Sequence, residues 1–154
     1  MVNIIVQLSK YLMIVLIIMY TYLCFSIFGY YDPDKKDRCL KKQNVLMFVM
    51  HLTAFLVMFL VKLDIKILAL YLMQVTLLGG TIVLYMFIYP RVSRLVVNNM
   101  CMLLSIGFIM ITRLNYDKAA KQYLIAAGGL VLCMVIPVII RKFKLLSEWR
   151  IFYG

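Results

Sequence analysis

Residues 107–122 read GFIMITRLNYDKAAKQ. An apolar run leads into this stretch, a short polar turn interrupts it, and Lys121-Gln122 opens a second apolar run. A chain that turns so briefly between two long apolar segments is a helical hairpin, and the length of those segments decides what surrounds it. Crossing roughly 30 Å of hydrocarbon takes about 20 residues at a helical rise of 1.5 Å. Leu95–Thr112 before the turn and Tyr123–Ile140 after it are close to that length.

Outward from the hairpin the same pattern continues. Ile67–Ile88, Val45–Val61 and Tyr11–Phe28 (with part of Ile4–Leu8) are three further apolar runs. The connection Lys62–Lys66 is too short for anything but a tight turn, so the second and third runs form an antiparallel hairpin. Pro90 closes the third run. Met1–Leu8 carries no basic side chain, and Cys24-Phe25-Ser26 is the nearest approach to a small-x-small cleavage site, so the first run reads as a retained span and not a cleaved leader. The chain is therefore expected to be an all-α, polytopic integral membrane protein with about five transmembrane helices. Its composition agrees. Of 154 residues 66% are hydrophobic, against about 45–50% in soluble domains, and a globule of this size has too little interior to hide the excess.

The charge of +11 would suggest nucleic acid in a soluble protein. Here the bases flank apolar runs, which makes them topology signals, and no nucleic-acid partner is expected. Alternate connections put Lys35, Lys36, Arg38, Lys41, Lys42, Arg91, Arg94, Arg141, Lys142, Lys144 and Arg150 on one side. Lys10, Lys62, Lys66, Arg113, Lys118 and Lys121 fall on the other. The richer side is cytoplasmic by the positive-inside rule, so the N-terminus lies outside and the C-terminus inside. The segment Gly29–Asn44 reads as a charged, solvated loop with a turn at Asp32-Pro33-Asp34. Its three Asp residues lack the spacing of a calcium loop. The closing segment RKFKLLSEWRIFYG, with Trp149, Phe152 and Tyr153 among bases, reads as an interfacial segment.

Chemistry-bearing residues are sparse. His51 lies within the second run, where an ionisable residue is a functional candidate. With no acid inside any span, the simpler reading is a neutral ring hydrogen-bonded to a neighbouring helix. Gln74, Thr76, Gly79-Gly80 and Thr81 suit a close helix–helix contact. Asn98-Asn99 stand where amides reach headgroups or cap a helix, and Pro137 predicts a kink. Cys24, Cys39, Cys101 and Cys133 show neither metal spacing nor a disulfide framework. No catalytic set, metal site or cofactor is expected.

The run Met102–Arg141 resembles the start of the core of the SEDS family, the FtsW/RodA/SpoVE proteins of cell division and cell shape. Gly107–Met110 matches the end of the first core helix, Lys121-Gln122 the pair that opens the second, Gly128-Gly129 its glycine and Arg141-Lys142 its basic turn. The family's serine-rich end of the first core helix is replaced by Ile111-Thr112-Arg113-Leu114. The resemblance implies that residues 95–154 are the first two core helices with a basic cytoplasmic tail, and that residues 1–94 are a three-helix extension like those of clostridial-type members. It implies a bacterial plasma membrane, with lipid II and a penicillin-binding transpeptidase as partners in peptidoglycan synthesis. Full-length members polymerise lipid II, and their catalytic aspartate lies in a large outer loop beyond the point where this sequence stops. This chain alone is thus expected to be inert. Lys121 and Gln122, supported by Arg113 and Lys118, are the residues expected to meet a lipid-linked substrate at the outer interface. Two other classes fit the composition. One is a small membrane interaction subunit docking through Gly79-Gly80 and Gly128-Gly129. The other is a small transporter lined by His51 and Gln74.

Overall fold

A computed structural model describes residues 2–90 and 92–142. Five long α-helices carry the fold: α1 (Val2–Ser26), α2 (Pro33–Lys62), α3 (Ile65–Ile88), α4 (Arg94–Leu114) and α5 (Tyr116–Lys142), with a 3-10 turn at Ile27–Gly29. Among the described residues there is no strand. All five helices are long and apolar enough to cross a membrane, and the shortest, with 21 residues, spans about 32 Å at the helical rise. The protein is an all-α multi-pass membrane protein, and its exposed apolar helix faces are suited to lipid. The interfacial reading of the tail, including Trp149, Phe152 and Tyr153, lies outside the described residues.

Two boundaries differ from the sequence expectation. The supposed loop Gly29–Asn44 is mostly helix, because α2 starts at Pro33. Asp32 is its N-cap, with its carboxylate accepting from the Asp34 backbone N–H at 3.0 Å. Pro33 sits at the first helical position, where a missing N–H costs nothing. Helix α2 has 30 residues, about 45 Å. Its charged first turns therefore extend beyond the apolar stretch Val45–Val61. Helix α5 likewise begins before Lys121. Asn115 accepts from the backbone N–H groups of Asp117 (2.9 Å) and Lys118 (3.2 Å), so the whole polar turn contracts to one capping residue.

The connection between α2 and α3 is Leu63-Asp64. Leu63 has φ 48° and ψ 36°, and Asp64 caps α3 by accepting from the Lys66 N–H at 3.0 Å. Left-handed backbone costs an L-residue about 1–2 kcal/mol. Leu63 is 75% exposed and gives up little packing. Leu63→Gly is thus expected to stabilise the protein by about 0.5–1 kcal/mol, after the entropy glycine adds to the unfolded chain. Thermal unfolding in detergent checks this, and a fall in melting temperature would count against it.

Helix α4 is the hub, packing against α2, α3 and α5, while α1 lies mainly along α2. The buried face of α4 comprises Val97, Asn98, Cys101, Met102, Ser105, Phe108, Ile109 and Thr112, a helical three- and four-residue spacing. Its opposite face shows Val96, Leu103 and Met110. Apolar side chains face outward and polar ones inward because lipid, unlike water, gives polar groups no partner. Asn98-Asn99 accordingly do not reach headgroups. They point into the bundle.

Pro137 lies inside an unbroken α5. It removes the hydrogen bond to the Cys133 carbonyl one turn back. Beside that carbonyl Tyr89, the C-cap of α3, donates its Oη to the Met134 carbonyl at 2.7 Å, which ties the end of α3 to the turn that Pro137 loosens. An open cavity of about 880 Å³ adjoins this contact, lined by Tyr85, Ile88, Tyr89, Pro90, Val92, Cys133 and Pro137.

Candidate functional site

Two regions concentrate polar groups. The first is the α4–α5 turn, where the sequence places its candidate site. Arg113 ends α4 and is exposed, as are Lys118 and Lys121 in the opening turns of α5. Gln122 is half-buried, and its amide lies over Gly107. A Cβ built on Gly107 would stand 3.5 Å from Gln122 Nε2. The missing side chain at Gly107 is what lets the amide lie flat against α4. Gln122 Oε1 is buried without a hydrogen-bond partner. The structure thus brings all four candidates to one end of the hairpin, three exposed cations and one half-buried amide.

The second region is a polar seam through the middle of the bundle. At the end formed by the start of α2, Asp37 pairs with Lys41 at 2.8 Å and with Arg94 at 2.6 Å. The hydrogen-bonded Lys41 ammonium, then Arg94, hold the Asp37 carboxyl below the usual carboxylate range. These groups are solvent-facing, and pairs of this kind contribute about 0–1 kcal/mol. One turn deeper Asn98 Nδ2 donates to the Leu40 carbonyl and to Gln43 Oε1, both at 3.2 Å. Asn99 Oδ1 accepts from Tyr20 Oη at 2.9 Å and from the Cys24 thiol at 3.2 Å. The two asparagines therefore bind α4 to α1 and α2 together.

At the centre His51 Nδ1 lies 2.8 Å from Ser105 Oγ. The His51 ring packs against Phe55 (4.8 Å between centroids) and stacks on Tyr71 (5.7 Å). A serine on a histidine nitrogen has the form of a nucleophile and its base. Here both residues are 0% exposed, so no substrate can reach the serine, and no carboxylate orients the ring. The pair is a helix–helix hydrogen bond, the simpler of the two readings of His51. Gln74 is also 0% exposed. Gly79 is occupied internally, 3.8 Å from the tip of Phe48 at its Cβ position, whereas Gly128 and Gly129 are exposed with nothing within 4 Å. Gly80 also has nothing within 4 Å, but it and Gly79 are half-buried, so the pair on α5 is the more exposed of the two offered for docking.

Among the described residues no group of His, Cys, Asp or Glu could hold a metal ion, and all four cysteines are free thiols. The seam was legible in part. Asn98, Ser105 and Thr112 recur every seven residues, which places them on one helix face. The sequence reading weighed Asn98 only as an interfacial amide and gave Ser105 no role. No protein-family model, curated protein or solved structure matches this chain.

Proposed function

We propose that this chain is the membrane-embedded N-terminal portion of a SEDS-type protein of peptidoglycan synthesis, serving cell division or cell shape in a bacterial plasma membrane. In this reading the α4–α5 turn faces outward and the Asp32 and Pro90 connections face the cytoplasm, as the distribution of bases favours. The observation that carries the reading is the seating of Gln122 on Gly107, which joins in space two of the matched elements, Gly107–Met110 and the Lys121-Gln122 pair. It leaves Lys121, Lys118 and Arg113 exposed at one outer rim. Cations beside an amide suit a pyrophosphate with an attached sugar, the head of lipid II. Polymerisation itself is assigned to a loop beyond this sequence, beside a penicillin-binding transpeptidase.

The test is Lys121→Gln introduced in the protein's own cells, with incorporation of a labelled wall precursor into glycan strands as the readout. Loss of one phosphate contact predicts a fall of roughly tenfold. Unchanged incorporation at equal protein level would sink the proposal.

The free Gly128-Gly129 face supports a second reading, a membrane subunit that docks on a larger partner through α5. Cysteine crosslinking from position 128 to a stoichiometric hetero-partner favours it. The transporter reading has no such support, because His51 and Gln74 are fully buried and line no open path in this conformation.

A further inference from the structure

Beside Pro137 the fold leaves an open cavity of about 880 Å³ between the end of α3 and α5. Tyr85 and Tyr89 wall it on one side, Cys133 and Pro137 on the other, and Val92 joins them from the connection to α4. Ligand clefts usually measure about 300–1,000 Å³. The lining is apolar apart from two phenols and a thiol, and the Tyr89 hydroxyl is already spent on the Met134 carbonyl. Water finds few partners in such a space.

Depth narrows the choice of occupant. Tyr85 and Ile88 belong to the apolar run Ile67–Ile88, and Cys133 and Pro137 to Tyr123–Ile140. The cavity therefore opens at hydrocarbon level, close to where both runs end. An acyl chain is what a bilayer presents at that level.

Charge narrows it further. Position 141 follows Pro137 by one turn on the same face of α5, about 6 Å nearer the helix end, and the residues there are Arg141-Lys142. On the other side Arg94 of α4 lines a smaller hollow that shares Tyr85 and Val92 with the cavity. Arg94 gives one N–H to Asp37, and a guanidinium carries five. Lys41 shares the same carboxylate, so two cations on one acid leave a net positive charge there. Bases thus flank the polar end of an apolar cavity, the pattern that suits a lipid with a net negative head.

We propose that the α3–α5 cavity is a binding site for an anionic phospholipid. One acyl chain lies between Tyr89 and Pro137, and the phosphate is held by Arg141 and Arg94 at the end of the cavity. The lipid bridges α3 and α5 beside the turn that Pro137 loosens. The site is at the opposite end of α5 from the α4–α5 turn, and it stands whether or not a wall precursor binds at that turn.

Native mass spectrometry of the full chain tests this, with the protein released from detergent micelles that carry phosphatidylglycerol and phosphatidylcholine of the same acyl chains in equal amounts. Phosphatidylglycerol is expected to be retained over phosphatidylcholine by about fivefold or more. Arg141→Gln lowers its retention about fivefold. Lys62→Gln, which removes an equal charge at the far end of α2, leaves it unchanged. Cys133→Trp fills the cavity and releases the lipid. Val131→Trp, two positions back and so on the other side of α5, where residue 131 is 59% exposed, does not. Equal retention of the two lipids overturns the proposal. So does phosphatidylglycerol that stays bound in Cys133→Trp, or a lipid-free dimer, which would assign this face to a second copy of the chain.

Discussion

Replacing Asn98 by leucine is expected to lower the stability of the bundle by about 2–3 kcal/mol. The residue is 1% exposed and gives both protons of one amide nitrogen to α2, at the Leu40 carbonyl and at Gln43 Oε1. Single interhelical hydrogen bonds in membranes average about 0.6 kcal/mol and reach about 1.7, so two of them alone would fall short. The remainder comes from Gln43, which is 0% exposed. Its Oε1 loses the donor it has in Asn98, and a buried acceptor stranded in this way costs about 1–3 kcal/mol. Leucine has the same number of side-chain heavy atoms as asparagine and is the bulkier of the two, so no cavity enters the sum. Unfolding in mixed detergent micelles measures the change. The double variant Asn98→Leu with Gln43→Leu should recover most of the loss, since it strands no acceptor. A loss below about 0.5 kcal/mol in the single variant would mean that Asn98 does not hold α4 to α2.

Phe108→Ala is expected to cost about 2–3 kcal/mol, less than the same truncation would cost in a soluble core. Phe108 heads the largest fully buried side chains. In water-soluble proteins Phe→Ala in a core costs about 3–5 kcal/mol, part of it transfer of the ring from water and part the cavity left behind. Separated helices in a membrane leave Phe108 in lipid and not in water, so the transfer part largely vanishes. What remains is lost packing, because lipid cannot refill a hole closed off inside the bundle. Leu103, on the opposite face of α4 and 71% exposed, is the matched control. Leu103→Ala should change stability by no more than about 0.5 kcal/mol. Equal losses at the two positions would mean that α4 is not the hub.

The five helices were legible because a membrane demands long apolar runs, and nothing else in a sequence resembles them. Their ends were less so, because apolarity marks depth and not helicity. Helix α2 runs from Pro33 through Lys35, Lys36 and Arg38, residues that leave the hydrocarbon without leaving the helix. The Asp32-Pro33 pair carried that information as a cap and a first helical residue, but it reads equally as a turn. At the candidate site, the sequence put Arg113, Lys118 and Lys121 at one end of a hairpin simply by chain distance. It could not seat Gln122 on Gly107, because that needs the rotation of α5 against α4. The same limit hid the partner of His51. A histidine in an apolar run announces that some neighbour must meet it, and only packing picks Ser105.

The Leu63-Asp64 link has a consequence for how the chain is made. Two residues between a 30-residue helix and a 24-residue one leave no segment that could wait on the far side while its partner follows. Helices α2 and α3 must enter the bilayer during synthesis as one folded pair, with Lys62, Asp64 and Lys66 held together at its tip. An intermediate with only one of the two inserted is not available to this sequence. Biogenesis of the first half of the protein is therefore committed only once Ile88 has left the ribosome.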